Sequence, residues 1–224
     1  MPRAKTAIPR SRRALAEVRQ LALDLGAMPP LDALVGAASI AGLRLTLTRP
    51  LLAHPSCARA VSMVRETLHF FPELDGVALR VGLTRTAAGF ASMESDEIWV
   101  NPYQLSRHTI AHEFVHLLQR RGLVPRGEKS CDLFAFARHP DLADDLPAYV
   151  KVPAAFRKAW SETPAASRIA GPGRLLHATA RDAVQRRGSG GRRYIIWFEE
   201  EFERRWEEVR KTIPRDPEVT RSLW

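Results

Sequence analysis

Residues His112-Glu113-Phe114-Val115-His116 sit inside an apolar run, and this pentapeptide constrains the fold more than any other part of the chain. On a helix, two histidines four residues apart lie one turn apart on one face and can act together. Ile110, Phe114, Val115, Leu117 and Leu118 supply the packing faces that bury such a helix. Two imidazoles so placed can bind one tetrahedral Zn²⁺ at about 2.0–2.1 Å each. Glu113 lies beside them around the helix, placed to act as a base on water activated by the ion. The plainer alternative is a helix with two ordinary histidines and a solvated glutamate, and the sequence downstream argues against it.

A catalytic zinc site needs a third protein ligand and an open fourth position. Arg121-Gly122-Leu123-Val124-Pro125-Arg126-Gly127 carries glycine and proline breakers and reads as a tight turn. Residues 128–138 read as a second helix, with Leu133, Phe134 and Ala137 at helical spacing. Two helices joined by a short turn pack antiparallel, which returns Glu128 to the level of the histidines. Asp132 is one turn further along that face, where it can accept a hydrogen bond from the second ring nitrogen of a ligating histidine. Asp132 and His139 remain alternative third ligands.

The H-E-x-x-H followed by E-x-x-x-D resembles the gluzincin class of zinc metallopeptidases. Glu128-Lys129-Ser130-Cys131-Asp132-Leu133-Phe134-Ala135 resembles the E-x-x-A-[DN]-x-F-A signature of small intracellular ImmA/IrrE-type peptidases, with Cys131 where that family usually has Ala. Ile98-Trp99-Val100-Asn101-Pro102 resembles the strand those enzymes place before the zinc helix. The resemblance covers about residues 76–140. It implies a zincin-like core, one Zn²⁺ held by His112, His116 and Glu128, a supporting role for Asp132, and peptide-bond hydrolysis with Glu113 as general base. A SprT-like, DNA-associated protease is the rival affinity, with His139 in place of Glu128. The metzincin pattern is excluded, because it needs Gly at 119 and His at 122 where this chain has Gln119 and Gly122.

Oxyanion stabilisation calls for a further donor. Tyr149, His139, His177 and Tyr103 are candidates, and Tyr149 is favoured because its loop can fold back over the cleft. The strand at 97–100 is a candidate exposed edge for a substrate peptide. Trp99 reads as core rather than as a substrate-side wall.

At 224 residues the chain suits one domain with a helical appendage. The expected division is a disordered basic segment 1–10, a metallopeptidase domain 11–170, and a C-terminal helical appendage 171–224 packed on it. No apolar stretch approaches a membrane span, and the arginine-rich N-terminus lacks the apolar region of a secretory signal. Two cysteines, Cys57 and Cys131, read as buried free thiols in a reducing, cytoplasmic setting. Net charge is +9, and arginine supplies 29 of the 34 basic residues. That skew also arises from GC-rich coding, so only clusters carry weight: Arg10, Arg12 and Arg13; Arg120, Arg121 and Arg126; Arg186, Arg187, Arg192 and Arg193. Such clusters can contact the phosphates of a nucleic acid.

The remaining pattern is α+β, a small, mainly antiparallel sheet against helices. Ser11 is placed to cap a helix over 12–25, and 31–41 suits a short helix. Residues 43–48 and 77–83 alternate as strands, and Ser56 opens a helix between them. Residues 89–93 and 97–100 complete a meander around a turn at Glu94-Ser95-Asp96. Asn101-Pro102 is positioned to open the zinc helix. After His139 come a proline-punctuated acidic loop, a helix over 174–187, a Gly188-Ser189-Gly190-Gly191 joint, and a helix over 192–213 with an apolar stripe from Ile195 to Ile213. The expected activity is a zinc endopeptidase acting on an intracellular protein or peptide. The alternatives are the DNA-associated protease and a catalytically silent zinc-bound interaction module.

Overall fold

The computed structural model describes residues 34–40 and 43–212. The basic segment 1–10 and the helix expected over 12–25 lie outside the described residues. Five strands, β1 (Leu34–Ile40), β2 (Leu43–Thr48), β3 (Ala78–Leu83), β4 (Gly89–Ala91) and β5 (Glu97–Val100), form one sheet in the order β1-β2-β3-β5-β4. The helices are α1 (Arg49–Leu52), α2 (Cys57–Leu68), α3 (Arg107–Arg120), α4 (Glu128–Arg138), α5 (Ala154–Glu162), α6 (Ala165–Arg168), α7 (Pro172–Gly188) and α8 (Tyr194–Thr212). A small sheet with many helices is the expected α+β class.

The sheet is mixed rather than mainly antiparallel. β1–β2 and β4–β5 are antiparallel, whereas β2–β3 and β3–β5 are parallel. Alternation in a sequence says which side of a sheet a residue faces and nothing about which strand lies beside it. Here α1 and α2 carry the chain back across the sheet, so β3 must run parallel to β2. The chain then passes to the outer edge as β4 and returns through 92–96 as β5, between β3 and β4. The meander is therefore absent, and 97–100 is an interior strand; the outer strand is β4. Ser92 Oγ closes the expected turn by accepting from the amides of Glu94 and Ser95 at 3.2 and 3.1 Å. Residues 34–40, expected as helix, pair with β2 instead, because sheet partners override local propensity.

One sheet face is the core. Leu45, Leu47, Leu79, Val81, Ile98 and Val100 bury against Val64 and Leu68 of α2 and Ile110, Phe114 and Leu117 of α3. A second core joins Leu133 and Phe136 of α4 to Phe156, Trp160, Leu176, Phe198, Phe202 and Trp206. Helix α4 serves both, since its Cys131 and Ala135 face the first. Phe198, Phe202 and Trp206 of the C-terminal apolar stripe therefore pack as core, with Ile195 and Val209 against it, as the spacing implied. Helices α5 and α6 occupy sequence that reads as loop, because Pro153 and Pro164 break it into pieces too short to show a helical period. Cys57 is half-buried, Cys131 is buried, and both are free. Among the described residues no helix is long and apolar enough to cross a membrane.

On the other sheet face Trp99 is half-buried rather than core. It stacks on Phe90 with centroids 4.3 Å apart, and it lies over Gly82, its register partner. A Cβ on Gly82 would meet the Trp99 ring at 2.4 Å. Gly82→Ala is expected to cost about 1–3 kcal/mol through this overpacking, read as a drop of several degrees in the thermal midpoint by circular dichroism. An unchanged midpoint would show that the indole moves aside at no cost.

Candidate metal centre

Helix α3 does not start at Asn101-Pro102. Asn101 instead closes a turn, its side-chain oxygen accepting from the Tyr103 amide at 3.1 Å. The cap is Ser106, whose hydroxyl accepts from the Thr109 amide at 3.1 Å. The Asp144 carboxylate adds to it from far along the chain, taking the amides of Arg107 and His108 at 2.8 and 2.9 Å. A carboxylate there satisfies amides with no helical partner and complements the helix dipole. The other end closes at Gly122, φ +73°, with Gly122 N–H donating to Gln119 O and Leu123 N–H to Leu118 O, each at 3.0 Å. This glycine-terminated pattern turns the chain sharply. Gly127, φ +112°, then opens α4, so Glu128 is its first residue.

The hairpin brings three ligand atoms together. Glu128 Oε2 lies 3.1 Å from His112 Nε2 and 3.2 Å from His116 Nε2. Ligands about 2.0–2.1 Å from a tetrahedral ion stand about 3.3–3.4 Å apart, so the donor set fits a single small cation. His112, His116, Glu128 and Cys131 form a group whose ligand atoms all lie within 4.8 Å of one another. Cys131 Sγ is nearer to His116 Nδ1, at 3.4 Å, than to Nε2, at 3.7 Å. A co-ligand of an ion on Nε2 would show the reverse order, so the sulfur packs against the ring instead of facing the ion position. Burial, reinforced by Glu128, Glu113 and Asp132, pushes its thiol well above the ordinary range and keeps it neutral.

Both imidazoles are held from behind. Asp132 Oδ1 takes His112 Nδ1 at 2.9 Å and lies 3.4 Å from His108 Nε2. Its Oδ2 accepts the amides of Tyr149 and Val150 at 2.7 and 3.0 Å. Burial opposes the Asp132 charge, but the hydrogen bonds from His108 and His112 outweigh it and hold the carboxyl well below its usual range. A carboxylate only accepts, so His112 carries its proton on Nδ1 and turns Nε2 to the ligand position. His116 is fixed in the same sense by Gln119, which the sequence reading missed as a participant. The Gln119 amide nitrogen donates to Pro125 O and Gly127 O at 2.7 and 3.0 Å, leaving its oxygen to accept from His116 Nδ1 at 3.1 Å. The signal was its i+3 position after His116. His108, one turn before His112, was also overlooked; its ring stacks on Phe136 with centroids 3.8 Å apart.

Glu113 is buried and reaches the outer strand. A Cβ on Gly89 of β4 would lie 3.0 Å from Glu113 Oε1, so glycine makes room there for the carboxylate. Burial raises the Glu113 carboxyl to about 7, with the neighbouring histidines opposing that rise and Glu128 adding to it. Hydrogen bonds from His112 and His116 draw Glu128 down to about 2. For His112, burial opposes protonation, yet the bonds to Asp132 and Glu128 prevail and raise it to about 10.

The other candidates separate clearly. The Tyr149 ring lies along His112, centroids 5.4 Å apart and 24° from parallel, with burial and then Glu128 pushing its hydroxyl to about 12. Tyr103 is exposed and meets His54. His139 stacks on Phe70 and accepts from the Asp141 amide at 3.2 Å, outside the ligand group. His177 contacts Phe136 O at 2.7 Å. The chain matches no family model, and comparisons with curated proteins and with solved structures return no match.

Two outcomes follow for metal binding. Glu128→Ala should remove most affinity, Asp132→Ala should lower it about 10–100-fold, and His139→Ala should leave it intact, as read by competition with a chromophoric chelator. Loss in the His139 variant alone would move the third ligand to His139. Because His112 holds its second proton up to about pH 10, a cation taking Nε2 must displace it. Affinity should therefore rise about tenfold per pH unit through neutrality, with about one proton released per ion. Calorimetry in buffers of different ionisation enthalpy measures that number, and a value near zero would contradict it.

Proposed function

We propose that this protein is a zinc-dependent endopeptidase acting on a protein or peptide substrate, of the gluzincin type that its H-E-x-x-H and E-x-x-x-D residues resemble. The observation that carries the reading is the meeting of His112 Nε2, His116 Nε2 and Glu128 Oε2 beside a buried Glu113. Two neutral nitrogens and one carboxylate suit Zn²⁺ and leave a fourth position open. The chemistry such an ion supplies is Lewis-acid polarisation of a carbonyl and a lowered pKa for water.

The rest falls to the chain. Glu113 titrates near neutrality, so it can accept a proton from attacking water and deliver it to the leaving amine. A purely structural site has no use for such a carboxyl, which speaks against the silent interaction module. Asp132 and Gln119 keep both imidazoles in the tautomer that presents Nε2. Tyr149 stays protonated up to about pH 12 and lies against His112, so its O–H is the favoured donor to the developing oxyanion. Glu128 as third ligand favours the gluzincin reading over the SprT-like one, for which His139 would have to turn away from Phe70.

The test is Glu113→Gln. Gln cannot take the proton and leaves the imidazoles untouched, so the variant should bind zinc with near-native affinity and lose peptidase turnover by at least about 100-fold. Substrates are found by comparing the termini of a proteome digested with the native chain and with the variant. Equal cleavage by the two would refute the mechanism.

A further inference from the structure

We infer that the corner between α7 and α8 is a binding site for single-stranded nucleic acid, separate from the metal centre. A concave cavity of about 340 Å³ lies there, lined by Arg186, Arg192, Arg193, Ile196, Trp197 and Glu200. The turn that builds it is fixed by glycine. Gly190 has φ +93°, and a Cβ on Gly191 would lie 2.7 Å from Arg186 O. The amides of Gly190 and Gly191 donate to Arg187 O and Arg186 O at 3.0 and 2.9 Å. Arg192 and Arg193 are thereby returned beside Arg186 by backbone geometry, not by carboxylates.

The charges differ from those of the arginines within α8. Arg120 and Arg121 are both tied to Asp96, and Arg204, Arg205 and Arg210 on α8 are paired with neighbouring carboxylates. Among the described residues Arg186, Arg192 and Arg193 form no ion pair, and all three are exposed. Three guanidinium groups face the one carboxylate of Glu200 in this lining, so the cavity carries an excess of positive charge that an anion would neutralise. Arg186 lies over the Trp197 ring, 5.4 Å from its centroid. Trp197 is half-buried, packed in part against the second core; the guanidinium forks beside its exposed part provide donors for phosphates and, with the indole, a surface on which a base can stack. A base inside a duplex cannot enter a cavity of this kind, whereas an unpaired one can. An acidic peptide would leave the indole unused. Glu200, which lines the same cavity, offers an acceptor for a base N–H such as thymine N3–H and repels phosphates toward the arginines.

The experiment is a fluorescence-anisotropy titration of the full-length chain with a labelled oligothymidylate, the matching duplex, and unlabelled polyglutamate as competitor. Binding to the single strand should be tighter than to the duplex and steeply weakened by salt. Replacing Arg186, Arg192 and Arg193 together with Gln should weaken it about tenfold or more and flatten the log–log salt slope by about 2. An unchanged thermal midpoint shows that this triple variant is folded. Trp197→Leu, which removes the flat ring but keeps an apolar side chain against the second core, should weaken binding while leaving the salt slope and the thermal midpoint as they were. Absence of binding at low salt, a duplex bound more tightly, polyglutamate displacing the strand at equal charge, or a triple variant with native affinity would each overturn the assignment. None of these readings depends on zinc or on peptidase turnover.

Discussion

The buried carboxylate of Asp132 is the interaction on which the rest of the site depends. One oxygen holds His112 and approaches His108, tying α4 to α3. The other takes two amides of the 149–150 loop, which fixes Tyr149 against the site. A fully buried charge is tolerated only when its lone pairs are occupied, and here imidazole and backbone donors occupy them. The same bonds set the tautomer of His112, so the demand of a buried charge for partners and the orientation of a candidate metal ligand are met together.

Position then propagates outward. Helix α4 borders both hydrophobic cores, so Glu128 at its start is located by the sheet on one side and by the C-terminal helices on the other. Ser130 Oγ and Tyr194 OH, 2.7 Å apart, pin the first turn of α8 to the first turn of α4. Glu199 accepts from Lys129 Nζ at 2.6 Å and from the Lys151 amide at 3.1 Å, joining α8 to α4 and to the loop after Tyr149. The C-terminal helices are thus part of the frame around the candidate metal site, and the arginine-lined corner at the start of α8 is mechanically connected to it.

Much of the site was legible in the sequence because its parts are local. The i, i+4 histidines, the Gly–Pro turn and Glu128 at the next helix start lie within 17 residues, and a helical hairpin has few ways to arrange them. Less legible were the contributions that arrive from elsewhere. Asp144 caps α3 from 36 and 37 residues away, and Gly89 makes room for Glu113 from a strand that pattern alone placed in a meander. Gln119 was visible but ambiguous, since an i+3 amide is informative only once its nitrogen is known to be engaged by Pro125 and Gly127.

What the sequence by itself determined was the local chemistry: which residues can ligate, which can accept a proton, and which segments near them are helix, turn or strand. Those follow from periodicity and from the intrinsic geometry of glycine and proline. Tertiary structure alone decided the strand order, the parallel pairing of β2, β3 and β5, the outer position of β4, and which arginines among the described residues stay outside ion pairs. These are questions of which surfaces meet, and a strand's hydrogen-bonding edge carries no mark in its side chains. Only burial of the two cores around α4 selects one arrangement from the several that the same alternation allows.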